Sequence, residues 1–98
     1  MRKIDLSSYT TNAGPFDVCG SLVAVLFMES QLPPREVLER DRIANRVETA
    51  TDSILLEEAE YSKVLAGLNA TDLKPFGRDV VEFVRRVLEA PVVEVQAK

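Results

Sequence analysis

The sequence predicts one small α+β domain, mainly helical, with about four helices and a small sheet of short strands near residues 3–6, 53–56 and 92–95. Three observations carry that prediction. Four stretches repeat apolar residues at helical spacing, short runs alternate apolar with polar groups, and the composition is that of an ordinary globular chain. The 98 residues are 46% hydrophobic and 29% charged. That is enough for a modest core without metal or disulfide, and it is not the balance of a disordered chain. With four Phe, two Tyr and no Trp, the core must be built mainly from Val, Leu, Ile and Ala.

Arg2–Tyr9 alternates polar and apolar residues at Ile4 and Leu6, a short strand pattern. Thr10–Pro15 is dense in turn formers, which leaves two readings of residues 1–15. Either Phe16–Val18 returns as a second strand and closes a hairpin, or the segment is an extended arm ending at Pro15. A helix is expected over Val18–Glu29, capped by Asp17 or Ser21. Leu22, Val23, Val25, Leu26 and Phe27 put apolar groups nearly all round it, so it needs cover on more than one side. It is therefore the central helix, or else Leu22, Val25, Leu26 and Phe27 form an oligomer contact.

Pro33 and Pro34 mark a boundary, Pro33 biasing Leu32 to extended geometry and Pro34 suiting a first helical turn. The second helix, Arg35–Ala50, is rich in helix formers and carries i,i+4 pairs such as Glu36–Arg40. Ser53–Leu56 is either a short buried strand or the lead-in to a third helix. The strand fits better, because Ile54 and Leu55 do not extend the face of Tyr61, Val64, Leu65 and Leu68. The third helix follows at about Leu56–Leu68, with Glu57, Glu58 and Glu60 near its positive N-terminal end. Ala70–Phe76 is a loop punctuated by Pro75 and Gly77. Gly77–Ala90 is the clearest amphipathic stretch, with Val80, Val81, Val84, Val87 and Leu88 on its apolar side and Phe83 at the flank. Pro91 stops it, Pro91–Val95 alternates as a last strand, and Gln96–Lys98 is a tail.

Charge and residue types exclude several chemistries. A net charge of −4 and a pI near 4.8 oppose general nucleic-acid binding, which wants basic surfaces. There is no histidine, so Ser-His and Cys-His nucleophilic pairs and His-containing metal sites are absent. The single cysteine, Cys19, sits in apolar context and reads as a small buried hydrophobe of a reducing compartment. No acid cluster has the alternating oxygen ligands of a calcium loop, so no metal and no cofactor is expected. Asp5 follows the two N-terminal basic residues with no long apolar run behind it, unlike a signal peptide. The run Leu22–Met28 is far too short to span a bilayer, so no membrane association is expected.

Four arginines are the candidate interaction residues. Arg40 falls inside the apolar stripe of the second helix, among Val37, Ile43, Ala44 and Val47. It is either a snorkelling side chain or an anchor for a carboxylate or phosphate, with Asp41 or Asp79 as internal partners. Arg78, Arg85 and Arg86 give the last helix a basic edge, read as a mixed-charge solvated face or as an anion site without a Gly-rich loop. Glu57, Glu58, Glu60, Asp72 and Asp79 read as helix-start and surface acids, and Tyr61 as a core residue.

Glu36-Val-Leu-Glu-Arg-Asp41, Leu55-Leu-Glu-Glu-Ala-Glu-Tyr61 and Asp79–Ala90 resemble short acidic open reading frames of tailed bacteriophages. That resemblance implies a phage or prophage product used in virion assembly or against a host factor, in the cytoplasm of a bacterial host or on the virion. The expectation is a non-enzymatic protein-interaction protein, self-associating or binding a phage or host protein. The alternative is a binder of a small anion or nucleotide through the arginines. An acidic mimic of nucleic acid fits less well, because basic residues are interleaved with the acids.

Overall fold

The computed structural model describes residues 1–12 and 14–93. β1 (Arg2–Asp5) runs antiparallel to β4 (Ser53–Leu56), with Ile4 opposite Ile54 and Arg2 opposite Leu56. Alternation turns Ile4, Ile54 and Leu56 inward, where all three are buried. On the other side of β1, Arg2 bridges Val92, and the Lys3 amide donates to the Pro91 carbonyl at 3.1 Å. The expected layer of three segments is therefore present, although 94 and 95 of its last strand lie outside the described residues, as do 96–98.

β2 (Tyr9–Thr11) and β3 (Gly14–Phe16) form a separate hairpin. The expected pairing of the first strand with residues 16–18 is not made. β1 instead takes β4 as partner, because Ile4 then reaches the inner face that Ile54 and Leu56 supply. Gly14, at φ 111°, allows the backbone turn that a residue with Cβ rarely adopts.

α1 (Val18–Leu26) ends one turn before the expected Glu29. Asp17 caps it, its carboxylate accepting from the Gly20 amide at 3.0 Å. α2 (Pro34–Thr49) and α3 (Glu58–Asn69) pack on α1 from two sides. This disposes of the need for a second chain at α1. Leu22, Val25 and Leu26 are buried in the protomer's own core, and only Phe27, 39% exposed, remains at the surface. The α1–α3 crossing depends on Gly67. A Cβ there would lie 1.9 Å from the Val25 carbonyl oxygen, so any side chain forces the two helices apart.

The last helix is shorter than its sequence pattern. Lys74–Val80 is a 3₁₀ segment broken at Gly77 (φ 59°, ψ −139°), and α4 spans only Val81–Leu88. Gly77 takes a left-handed conformation no helix contains, which is why Gly77–Ala90 is not one helix. Val80, Phe83, Val87 and Ala90 are the buried groups, while Val81 and Leu88 face outward. The apolar side read from sequence was wider than the core uses.

Candidate functional site

An eight-residue helix is marginal on its own, and α4 is held at both ends by side chains from elsewhere. At its start Val80 has no side-chain oxygen to offer the orphan amides. The Tyr9 hydroxyl does that work from the hairpin. It accepts from the Phe83 amide at 3.1 Å and donates to the Asp79 carbonyl at 2.6 Å. At the other end the Tyr61 hydroxyl donates to the Val87 carbonyl, and Arg2 donates to the Ala90 carbonyl at 2.9 Å.

The Tyr9 ring stacks on Phe16 with centroids 5.0 Å apart, and Phe16 meets Phe83 at 5.7 Å. This aromatic row divides two clefts. One is polar, about 400 Å³, lined by Tyr9, Thr10, Thr11 and Asn12 of the hairpin and by Arg78, Asp79, Val81, Glu82 and Arg85. The other is apolar, about 420 Å³. Its walls are Gly20, Ser21 and Ala24 of α1 with Met28 just after it on one side, and Thr71 and Leu73 on the other. Phe16, Val25, Val80 and Phe83 also line it, with Asp17. Small side chains at 20, 21 and 24 leave this space beside α1 open.

The four candidate arginines separate. Arg40 is only 3% exposed and works internally. Its Nη1 donates to the Leu26 carbonyl at 2.8 Å, its Nε to Glu36 at 3.2 Å, and Nη2 lies 3.4 Å from Glu29. Leu26 is the last residue of α1, so the guanidinium satisfies an orphan carbonyl at the negative helix end. Its carboxylate partners are Glu29 and Glu36, not Asp41 or Asp79. Arg86 is likewise committed inward, to the Ser7 carbonyl, to Glu82 at 3.3 Å and over the Tyr9 ring at 5.2 Å.

Arg78 and Arg85 remain at the surface and share the polar cleft. Arg85 pairs with Glu82 at 3.2 Å and Glu89 at 3.7 Å. Arg78 has no carboxylate within ion-pair distance among the described residues. Two arginines and two acids line this cleft, so its formal charge balances and it offers an anion little net attraction.

Burial pushes the Tyr9 hydroxyl pKa up, which keeps the hydroxyl protonated and able to donate to Asp79. Glu36 is held below the ordinary glutamate value, first by its hydrogen bond from Lys63 and then by Arg40. Burial raises the Cys19 thiol, and nearby Asp17 adds to that, which disfavours the reactive thiolate. The expected surface acids have ordinary roles: Glu58 pairs with Arg2, Glu60 with Arg46, and Asp72 accepts from the Lys74 amide. Among the described residues no three Cys, Asp or Glu groups are placed to hold a metal ion, and no helix is long and apolar enough to cross a membrane.

Sequence reasoning missed the hairpin's part in both clefts. Two signals were available: an aromatic on each side of a turn-rich stretch, Tyr9 and Phe16, and the i,i+4 spacing of Gly20, Ala24 and Met28. Compared with known proteins, the chain matches no family model, no curated protein and no solved structure.

Proposed function

We propose that this chain is a non-enzymatic protein-interaction protein of the kind its phage resemblance implies. It acts in virion assembly or against a host factor, in the bacterial cytoplasm or on the virion. The observation that carries the reading is the apolar cleft beside α1. Buried Val25, Val80 and Phe83 stand behind an opening flanked by Ala24 and Met28. A concave apolar pocket of this size takes an aromatic or aliphatic anchor side chain of a partner, the arrangement in which interface energy concentrates.

The test is selection of a displayed random-peptide library on the purified protein. Enriched peptides carry a shared Phe, Trp, Tyr or Leu anchor. Ala24→Phe, which fills the cleft from its exposed rim, weakens them at least about tenfold, or about 1.4 kcal/mol. Selected peptides that bind Ala24→Phe as well as wild type would contradict the reading.

That Arg78 has no ion-pair partner among the described residues favours a second reading, capture of a small anion in the polar cleft. Inorganic phosphate or a nucleotide raising the melting temperature of wild type, but not of Arg78→Ala, would support it. The balanced charge of that cleft puts this reading second.

A further inference from the structure

We propose that two copies of this chain associate through the outer face of α4, antiparallel about a two-fold axis. The face is not the one expected to self-associate, because α1 is already covered by α2 and α3. It is the side of α4 that flanks the buried Phe83 and Val87. Val81 is 48% exposed and Leu88 53%, with Val84 partly buried between them. The spacing 81, 84, 88 is i, i+3, i+7, the seam by which one helix packs on another. Two large apolar groups stand in water within about 10 Å along one short helix.

The charges on this face say which occupant and which orientation fit. Arg78 stands at the start of the ridge without an ion-pair partner among the described residues. Glu89 stands at its end, exposed and only 3.7 Å-paired to Arg85. A second copy laid antiparallel brings Val81 against Leu88 of the other copy, twice, and Arg78 towards Glu89 of the other copy, twice. Parallel packing would instead oppose Arg78 to Arg78 and Glu89 to Glu89. Antiparallel packing also opposes the helix dipoles favourably. Arg85 comes near its own symmetry mate, and its neighbours Glu82 and Glu89 offset that repulsion. The pattern is self-complementary in one orientation, as an isologous interface requires.

A seam of two helical turns makes a weak, reversible dimer rather than an obligate one. It closes over the polar cleft, since Val81, Arg85 and Arg78 belong to both. The apolar cleft lies on the Phe83 side of α4 and stays open, so the dimer would present two of them.

Sedimentation equilibrium over a concentration series up to about 500 µM tests this. Wild type shows a monomer–dimer equilibrium. Leu88→Glu, Arg78→Glu and Glu89→Arg each weaken it about tenfold or more, while the double variant Arg78→Glu/Glu89→Arg regains most of the loss. These positions are exposed, so melting temperatures stay near wild type, which separates lost association from lost folding. A strict monomer throughout, or a dimer indifferent to Leu88→Glu, would overturn the proposal. So would a double variant no better than its parents. Ala24→Phe leaves the dimer intact and Leu88→Glu leaves peptide capture intact, so the two readings fail separately.

Discussion

Tyr9 shows how one side chain joins sequence-distant segments. Its hydroxyl both donates and accepts, and those two bonds tie the hairpin to the first turn of α4. Tyr9→Phe keeps the ring stack on Phe16 and removes both bonds, leaving a helix-start amide without its partner. The expected cost is about 1–2 kcal/mol, the scale of a lost cap or a part-buried hydrogen bond, measurable by urea denaturation. Arg40 is the second case. Its place in an apolar stripe was legible, because the i,i+3 and i,i+4 spacing of Val37, Ile43, Ala44 and Val47 needs no tertiary knowledge. Two of its three partners were not, since Leu26 and Glu29 reach it from outside its own helix. Arg40→Ala strips the Leu26 carbonyl and two carboxylates of a buried donor. A loss of about 2–4 kcal/mol is expected, with peptide capture by the folded protein unchanged.

At the scale of elements, α2 and α3 are joined by Lys63, which lies 2.7 Å from Glu36 and 3.0 Å from Glu39. Lys63, first among the causes, lowers the Glu36 pKa, so the folded state favours the charged carboxylate. That contribution is fully present above the unfolded value of about 4.5 and is lost as pH falls through the lower folded value. Lys63 is raised, mainly by Glu36, so its part persists below about 10.5 and is lost only above that. Melting temperature measured from pH 7 to pH 3 should therefore fall more steeply for wild type than for Glu36→Gln, with the two curves converging below about pH 4.5. Curves that stay parallel would remove this link from the account. Helix identity was readable here from periodicity, as was the strand at 53–56; of the two eligible caps, Asp17 and Ser21, the structure uses Asp17. The extent of α4 was not. Val80, Val81, Val84, Val87 and Leu88 look alike on a wheel, and only the positive φ of Gly77 and the position of Phe83 decide which of them turn inward.

For the whole molecule, the sheet layer and the three-helix core followed from short alternating runs and apolar faces. The site did not, because it arises where the hairpin and α4 meet across some 70 positions of sequence. Neither cleft has a motif, since each is a gap left by packing: small residues on α1 open one, and the hairpin overhanging Arg78 and Arg85 frames the other. That division gives the functional claim its sharpest test. Backbone amide shifts recorded by NMR on the ¹⁵N-labelled protein, while a selected apolar-anchored peptide is added, locate the contact directly. The account predicts perturbations concentrated at Gly20, Ser21, Ala24, Met28 and Leu73. Perturbations concentrated instead at Thr10, Asn12, Arg78 and Arg85, with the α1 side silent, would contradict it.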